Sequence, residues 1–464
     1  MNEIAWTPQR ARKWLEKIEY RGMQLGMERV EALAASLGNP ELTFPSIHLA
    51  GTNGKGSVAA ILDSILSDAG LRTGLYTSPH LVDWTERITV GGIAITDEEF
   101  ARTLQALSTD VDRLDNTPFE TLTMAAFWHF RQEGLDWGII EVGLGGRLDA
   151  TRLCRAEISV ITAIGIDHIA ELGRDLDGVA MEKGSIIRCD VPVVLGRGTE
   201  RVRSVLLSQA GDVGAPVLLS EDVVDVSGGP DRQWGSEGRA TWKGVAAAGA
   251  RDAGEPEKFE WQLPLAGAHM LDNLSTSLAV VSSLRQKGVL IPTDAIVSGI
   301  GSVRWPGRLQ HIASPPGCPD LIIDVAHNPL AAEAISEEIL ARSPGRHRRL
   351  VVALAADKDL EGFLKPLLPL FEKAIATSLK ESRSRTPEEI VQTARRVAEE
   401  LNLQVEITAV YDPVAAVADA TCGLAGDGLV VAAGSHMLAG PLLKVVKEDQ
   451  GPGLLWPEME LSSH

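Results

Sequence analysis

The sequence contains few cysteines and no long apolar run. Its four cysteines, Cys154, Cys189, Cys318 and Cys422, are far apart and form no C-x-x-C pair. Scattered thiols suit a reducing cytoplasm and argue against a disulfide framework or a zinc site. No stretch of about 18 apolar residues is present, so we expect no membrane span. The first fifteen residues lack the apolar segment of a secretory signal. These absences predict a cytoplasmic protein.

Positive charge is also scarce. The 464 residues include 44 Lys and Arg against 63 Asp and Glu, which gives a net charge of −19. A nucleic-acid-binding face needs a basic surface, so we expect no nucleic-acid partner. An acidic protein that binds an anionic nucleotide must neutralise it locally, with Lys, Arg, helix N-termini or a metal ion.

The most informative motif is the sequence IHLAGTNGKGS at residues 47–57. It begins as an apolar strand-like run, and the apolar residues of 58–66 then recur at helical spacing. A glycine-rich turn between strand and helix binds polyphosphate: backbone N–H groups and the helix N-terminus meet the phosphate oxygens, Lys55 reaches the terminal phosphates and Ser57 serves Mg²⁺. Gly56 separates Lys55 from Ser57, which departs from the common pattern G-x-x-x-x-G-K-[ST]. A lone Gly-Lys-Gly is usually a surface turn, but the flanking strand and helix favour nucleotide binding here.

Strand-like and helix-like runs alternate along most of the chain, which predicts an α/β fold with parallel sheets. The length exceeds what one core usually supports. We predict a P-loop-type ATPase domain over 1–303 and a smaller, Rossmann-like doubly wound domain over 304–464, with residues 304–308 as the hinge. Residues 226–260 contain seven glycines, and we interpret them as an irregular or extended excursion at a domain edge. Among the individual elements, a helix is predicted over 360–374.

Polar side chains follow several of the predicted strands. Glu141 ends an apolar strand, and open α/β sheets bind ligands at that end, so Glu141 is a candidate Mg²⁺ ligand. A solvated loop carboxylate is the alternative. Asp167 and His168 also follow a strand, where a hydrogen-bonded structural histidine is equally compatible with the spacing. Lys183 lies on an apolar helix turn, and a snorkelling side chain or an ion pair is its simpler interpretation.

The predicted second domain repeats this pattern. Residues 324–329, with sequence DVAHNP, place Asp, His and Asn after a buried strand, which favours a ligand site over a simple Asx-capped turn. Arg308 in the hinge and Lys358 in the Asp-Lys-Asp sequence are candidates for contacts across the interdomain cleft. Solvated surface charges are the alternative for both.

Taken together, these segments resemble the Mur ligase family and, within it, the folylpolyglutamate synthase/dihydrofolate synthase group. The resemblance runs over nearly the whole chain and keeps the motifs in order. Two positions depart from it: Met270 replaces a frequent Gln, and Gly184-Ser185 replace the more usual Ala-Gly after Lys183. The matching segments are 25–30, 51–57, 77–81, 119–120, 141–151, 167–168, 182–183, 305–308 and 324–329.

The resemblance implies an ATP-dependent ligase that converts a folate carboxylate to an acyl phosphate and joins it to L-glutamate. The catalytic residues that it implies are Lys55, Lys183 and His327. The nucleotide contacts that it implies are Gly51, Thr52, Asn53, Gly54, Lys55, Gly56, Ser57, Asn273, Arg308 and Asp324. For Mg²⁺, with two sites expected, it implies Ser57, Ser78, Glu141, His168 and, if carbamylated, Lys183. For the substrates it implies Gly26, Met27, Arg29, Thr117, Pro118, Phe119, Glu120, Leu148, Asp149 and Ala150 around the pteroate, and His327 for the glutamate.

Two other functions stay open at this point. One is a Mur-type ligase for a cell-wall or other precursor, which the pteroate-binding segments argue against. The other is a P-loop ATPase without ligase activity, which leaves residues 324–329 unexplained. Whether the first substrate is dihydropteroate or a reduced folate is also open. We expect a monomer whose partners are small molecules.

Overall fold

The first half of the chain is built on a mainly parallel sheet of eight strands. These are β1 (Ser46–Ala50), β2 (Thr73–Tyr76), β3 (Ile88–Val90), β4 (Ile93–Ala94), β5 (Trp137–Glu141), β6 (Ala156–Ile161), β7 (Val193–Leu195) and β8 (Val217–Leu219). In the computed structural model, which describes residues 5–167, 173, 175–231, 234–243, 257–379, 384–447 and 454–456, their order is β4-β3-β2-β5-β1-β6-β7-β8. Strands β3 and β4 pair antiparallel at one edge, while the other six strands run parallel. The predicted α/β fold with a parallel sheet is confirmed.

Helices cover both faces of this sheet because its central strands are apolar on both sides. The helices are α1 (Pro8–Ile18), α2 (Glu28–Ser36), α3 (Lys55–Asp68), α4 (Asp97–Leu114), α5 (Pro118–Glu133), α6 (Leu176–Gly184), α7 (Arg203–Asp212), α8 (Ser220–Val223), α9 (Ala268–Gln286) and α10 (Thr293–Ser302). Ile139 of β5 packs into the core formed with α3, α9 and α10, whereas the next residue, Ile140, packs into the core formed with α1, α2, α4 and α5. Consecutive strand residues point to opposite faces, so a strand buried on both sides needs such a continuous apolar run.

A separate antiparallel sheet follows, formed by β9 (Val224–Pro230), β10 (Ser236–Trp242) and β11 (Lys258–Leu263). Of the two predicted alternatives for 226–260, the described residues are extended and not irregular; 232–233 and 244–256 lie outside them. Glycines hid the strand pattern because they make room for an indole. A Cβ at Gly228 or Gly238 would lie 2.8 Å from the ring of Trp261.

The second half of the chain carries a six-stranded sheet. Its strands are β12 (Gln310–Ile312), β13 (Asp320–Asp324), β14 (Arg348–Val352), β15 (Lys373–Ala376), β16 (Glu406–Ala409) and β17 (Leu429–Ala433). Their order is β12-β13-β17-β14-β15-β16, and all but the edge strand β12 are parallel. Helices α11 (Pro329–Arg342), α12 (Leu360–Leu367) and α13 (Pro387–Glu400) pack in one core, and α14 (Pro413–Thr421) and α15 (His436–Lys447) in another. The predicted doubly wound architecture is confirmed.

The predicted helix over 360–374 is too long. Helix α12 ends at Leu367, a 3₁₀ turn spans Leu368–Leu370, and Ala374 lies in β15. Pro366 at the end of α12 and Pro369 in this turn both lack an N–H, so two hydrogen bonds of the α-helical ladder are missing close together. Helical periodicity alone did not reveal this stop.

Residues 304–308 connect α10 to β12, where the hinge is predicted. The six-stranded sheet lies wholly within 304–464, whereas the other two sheets precede residue 304. The boundary itself stays a prediction. Among the described helices, none combines the length and the apolar character that a membrane crossing requires.

Candidate active site between the two main sheets

The predicted phosphate loop connects β1 to α3, and its glycines are required by close packing. Gly54 has a φ of +89°, a left-handed conformation that favours glycine. A Cβ there would lie 2.4 Å from Asn273 Oδ1, and a Cβ at Gly51 would lie 1.9 Å from Thr162 Oγ1. The loop is thus held between β6 and α9, with Asn273 directly against it.

Lys55 is the first residue of α3 and folds back over the loop. Its Nζ donates hydrogen bonds to the carbonyl oxygens of Gly51 (3.1 Å) and Thr52 (3.4 Å). The first N–H groups of a helix have no intrahelical acceptor, and Lys55, Gly56 and Ser57 form this first turn. The structure therefore brings an ammonium group together with backbone donors, which is the chemistry that an anionic phosphate requires.

Glu141 and Ser78 lie beside Lys55 because β1, β2 and β5 are parallel neighbours whose carboxyl ends meet. Glu141 is 5% exposed, and its Oε2 accepts a hydrogen bond from the N–H of Ser78 at 3.2 Å. Its Oε1 lies 3.8 Å from Lys55 Nζ. Burial raises the pKa of Glu141, and the nearby Lys55 opposes this shift.

These groups suit a hard cation that also binds phosphate. A buried carboxylate and the hydroxyls of Ser57 and Ser78 are oxygen ligands of the kind that Mg²⁺ prefers. Within the described ranges, no cluster of three or more His, Cys, Asp or Glu side chains surrounds a metal position. The protein residues would thus supply part of the coordination, as is usual for Mg²⁺ bound together with substrate phosphates. The predicted ligand His168 lies outside the described residues.

Lys183 approaches the same loop from α6. It is 5% exposed, and its Nζ donates to the Gly51 carbonyl at 3.0 Å, the same oxygen that accepts from Lys55. Burial, followed by the neighbouring Lys55 charge, lowers the pKa of Lys183 to about 7. A large fraction of Lys183 is therefore a neutral amine at physiological pH.

Residues of the six-stranded sheet complete the other wall of the cleft. Asp324 ends β13, and its carboxylate accepts hydrogen bonds of 2.6 Å from the N–H groups of Leu309 and Ala326. Arg308 is half-buried next to it. Burial lowers the pKa of the Arg308 guanidinium, whereas Asp324 and Glu141 oppose this shift. Arg308 thus lies in the electrostatic field of one carboxylate from each wall.

Two contacts connect the phosphate loop side to residues 327–328. Asn53 and Asn328 form a reciprocal amide pair: Asn53 Nδ2 donates to Asn328 Oδ1 (3.3 Å), and Asn328 Nδ2 donates to Asn53 Oδ1 (3.0 Å). His327 Nδ1 is 2.9 Å from the Val325 carbonyl, and its Nε2 is 3.5 Å from Asp167 Oδ2. The contact predicted for Lys358 across the cleft is also present, since its Nζ lies 2.6 Å from Asp167 Oδ1.

The segments predicted to bind pteroate come together at the start of α5 and α2. Glu120 forms a capping box with Thr117, in which its Oε2 accepts from the Thr117 N–H at 2.7 Å, and Pro118 is the first residue of α5. Glu120 also pairs with Arg29 of α2 at 3.0 Å. Gly26 and Met27 lie directly before α2. This joins two of the three predicted pteroate segments.

The third pteroate segment, Leu148–Ala150, is connected to α5 through Phe119. The ring of Phe119 lies so close to Gly143 that a Cβ there would be 2.4 Å from Phe119 Cζ. Asp149 accepts hydrogen bonds from the N–H groups of Leu144 (2.9 Å) and Thr151 (3.0 Å). The carboxylates of Asp149 and Glu120 therefore fix the backbone of the segments in which they lie. This structural role explains why both residues are acidic.

Comparison with known proteins identifies the family. Residues 49–191 match the Mur ligase middle domain, and residues 307–436 match the Mur ligase glutamate ligase domain. A dihydrofolate synthase/folylpolyglutamate synthase of Mycobacterium tuberculosis is 32% identical over 448 residues, covering 89% of this chain and 88% of that protein. The chain belongs to the folylpolyglutamate synthase/dihydrofolate synthase group of the Mur ligase family.

Solved structures of this group share the whole fold. Escherichia coli FolC in complex with DHPP and ADP is 29% identical, with a TM-score of 0.82 over 96% of this chain and 99% of that one. A bifunctional folylpolyglutamate synthase/dihydrofolate synthase with Mn, AMPPNP and L-glutamate bound is 27% identical, with a TM-score of 0.79 over 96% and 100% of the two chains. Membership of this group favours the folate ligase over the two alternatives that the sequence left open.

Two residues in this Mur ligase cleft were not predicted. His436 begins α15 directly after β17, and its ring lies 5.7 Å from that of His327. Trp305 of the hinge lies against Gly56. Like Glu141, His436 is a polar residue at the carboxyl end of a parallel strand, where α/β sheets bind ligands. The sequence therefore contained a signal that could have identified His436. Both residues line a cavity of about 400 Å³ beside the phosphate loop.

Proposed function

We propose that the cleft between the two main sheets binds ATP, a folate or dihydropteroate carboxylate, and L-glutamate, with the residue roles set out below. The chain is an ATP-dependent ligase of the folylpolyglutamate synthase/dihydrofolate synthase group. One observation carries the assignment. Ser78 and Glu141, at the carboxyl ends of one parallel sheet and beside Lys55, line a cavity together with Arg308 and His436 from the other half of the chain.

The ligands of related structures support each substrate. FolC was solved with DHPP and ADP, and another relative was solved with Mn, AMPPNP and L-glutamate. We transfer these ligand classes to the present cleft because the fold matches over nearly the full length. The enzyme is then a cytoplasmic monomer that acts on small molecules.

The first half-reaction moves a phosphoryl group from ATP to a carboxylate, which by itself is a poor electrophile. Such transfer depends mainly on positioning and on neutralising charge. Lys55 Nζ and the first backbone N–H groups of α3 bind the phosphate oxygens, and Arg308 contacts them from the opposite wall. Glu141, Ser57 and Ser78, with His168, would hold Mg²⁺, which neutralises charge on the phosphates.

The second half-reaction forms the amide. The glutamate ammonium group first gives one proton to solvent. The neutral nitrogen then attacks the acyl carbon, and the second proton leaves with the departing phosphate as hydrogen phosphate. His327 holds the glutamate in this proposal, and its ring is oriented by the Val325 carbonyl. Closure of the cleft between the two main sheets brings the amine near the acyl phosphate. It also excludes water, which would hydrolyse that intermediate.

Carbamylation of Lys183 belongs to the same proposal. A neutral Lys183 amine attacks carbon dioxide, forms an N–C bond and releases one proton, which leaves an anionic carbamate that would lie near the metal. The support is the buried amine with its pKa lowered to about 7. Crystals grown with bicarbonate should show electron density extending beyond Lys183 Nζ, and an unmodified ammonium pointing away from the metal would refute this step.

The decisive experiment measures ADP release with glutamate, comparing dihydropteroate with tetrahydrofolate, and identifies the product by mass. A folate ligase adds the mass of one glutamate residue per ADP released. Rapid ADP release without glutamate, with no amide product, would instead support a simple ATPase. Product formed from dihydropteroate indicates dihydrofolate synthase activity, and product formed from tetrahydrofolate indicates folylpolyglutamate synthase activity. The comparison therefore establishes whether the enzyme has one of these activities or both.

A further inference from the structure

Asp167 is an acidic residue of the first half of the chain whose carboxylate is surrounded by donors from the second half. It lies in the loop after β6, with its side chain 9% exposed. Its Oδ1 is 2.6 Å from Lys358 Nζ, and its Oδ2 is 3.4 Å from Asn328 Nδ2 and 3.5 Å from His327 Nε2. One carboxylate thus bridges three side chains that the sequence places 160 or more positions away.

These partners belong to two turns at the carboxyl ends of neighbouring strands. Asn328 is the N-cap of α11 and accepts from the Ala331 N–H at 3.0 Å, so its side chain is fixed by the helix. Lys358 lies in the turn between β14 and α12, with its side chain 10% exposed. Asp167 therefore connects the loop after β6 to both of these turns, through residues 327–328 and through Lys358.

The same turn also reaches the phosphate loop through the amide pair of Asn53 and Asn328. Asn328 thus contacts Asn53 and Asp167 at once. The position of His327, next to it in the chain, depends on both contacts. The contacts of the Asp167 carboxylate with Lys358, Asn328 and His327 give this acid a role in holding these turns.

We propose that Asp167 is a positioning residue that holds the cleft closed and keeps His327 and Lys358 in place for the incoming glutamate. This inference rests on the proposed function and adds a role for a residue that contacts neither the phosphate loop nor the pteroate segments in the contacts described above. A carboxylate suits the position because both of its oxygens accept hydrogen bonds. An Asn side chain of the same shape would turn its NH₂ group toward one of the donors.

The kinetic test compares Asp167→Asn, Lys358→Met and the double variant. Only the closed form binds glutamate in this proposal, so the KM for glutamate is inversely proportional to the fraction of closed protein. If that fraction falls to about a tenth in Asp167→Asn, the KM for glutamate rises about tenfold. The KM for ATP, measured at saturating glutamate, should change far less. In the Lys358→Met background, Asp167→Asn should have little further effect, because its main partner is already absent. Independent, multiplicative losses would overturn the proposal.

A conformational test does not depend on activity. Small-angle scattering of the full, ligand-free chain should give a larger radius of gyration for Asp167→Asn than for the wild type. Asp419→Asn is the matched control, since Asp419 pairs with Lys373 at 3.0 Å within the second half of the chain. Its scattering and glutamate KM should stay at wild-type values. Identical scattering of Asp167→Asn and the wild type would refute a role in closure.

The two tests separate this inference from the proposed function. Absence of ligase activity in the wild type would refute the function, while the scattering comparison would still decide whether Asp167 closes the cleft. If Asp167→Asn fails to fold, Asp167→Glu retains the charge with a longer side chain and should give an intermediate KM. A wild-type KM in that folded variant, together with unchanged scattering, would count against the positioning role.

Discussion

Gly56 lies directly against the indole of Trp305. A Cβ at residue 56 would be 2.6 Å from Trp305 Cζ2 and 3.1 Å from Cε2. Gly56 is the residue that separates Lys55 from Ser57 and makes this phosphate loop differ from the common pattern. Its position in the first turn of α3, facing the hinge, gives the difference a physical reason: the loop leaves room for a hinge side chain.

Gly56→Ala should therefore weaken both stability and ligase activity. Inserting a methyl group into a tightly packed contact typically destabilises by about 1–3 kcal/mol. Chemical denaturation and steady-state kinetics measure the two effects. Gly211→Ala in α7 is the control, because a Cβ there meets nothing within 4 Å and alanine favours a helix. Equal behaviour of the two variants would show that the Trp305 contact has no role.

Lys55→Ala should abolish turnover and leave the fold intact. The side chain supplies the positive charge nearest the predicted phosphate position, and loss of such a group reduces the rate roughly 10²–10⁴-fold or more. ADP release and far-ultraviolet circular dichroism test the two parts. Lys365→Ala, which removes a surface ion pair with Glu361, should retain full activity. Near-normal ADP production by Lys55→Ala would refute the assignment of the loop.

The buried Lys183 should make stability depend on pH. Its pKa is lowered from 10.5 to about 7 by burial, so between these values the unfolded chain binds more protons than the folded one. The free energy of unfolding attributable to Lys183 then rises with pH across this range. Compared with Lys183→Met in carbon-dioxide-free buffer, the wild type should gain Tm from pH 7 to pH 10. A difference in Tm that does not vary with pH would contradict this.

Asp63 on α3 should show the opposite dependence. Burial raises its pKa from 3.8 to about 6, although it accepts a hydrogen bond from Thr73 Oγ1. The folded state therefore binds more protons between these values, and stability falls as the pH rises through them. Asp63→Asn keeps an acceptor oxygen and should stabilise the protein at pH 8 by up to about 3 kcal/mol. That gain in thermal or urea unfolding should vanish below about pH 4, and a gain that persists there would rule out ionisation as its cause.

Local patterns account for what could be predicted from the sequence. The phosphate loop was recognised because the strand, the glycines and the helical spacing are contiguous. The capping boxes at Thr117 and Thr386 depend on residues only three positions apart, so they are local patterns of the same kind. The roles of Lys55 and Glu141 followed from strand ends and from the family resemblance.

Contacts between distant segments could not be predicted in this way. The amide pair of Asn53 and Asn328 joins residues 275 positions apart, and the Asp167–Lys358 pair joins residues 191 apart. The pairing of β9–β11 was missed because Gly228 and Gly238 are explained by the neighbouring strand backbone and by the indole of Trp261 that pack on them. In each case the residue type is set by a partner whose proximity arises from the tertiary fold.

The amide pair of Asn53 and Asn328 also has a consequence for inhibition. It connects the phosphate loop to the turn that carries His327, so under the proposed closure both sites would respond to the same open–closed equilibrium. A nucleotide that favours the closed form then raises the affinity for a glutamate analogue. By thermodynamic linkage, the analogue raises the affinity for the nucleotide by the same factor. Inhibitors directed at the glutamate site should accordingly be screened with nucleotide present, where their measured potency will be greatest.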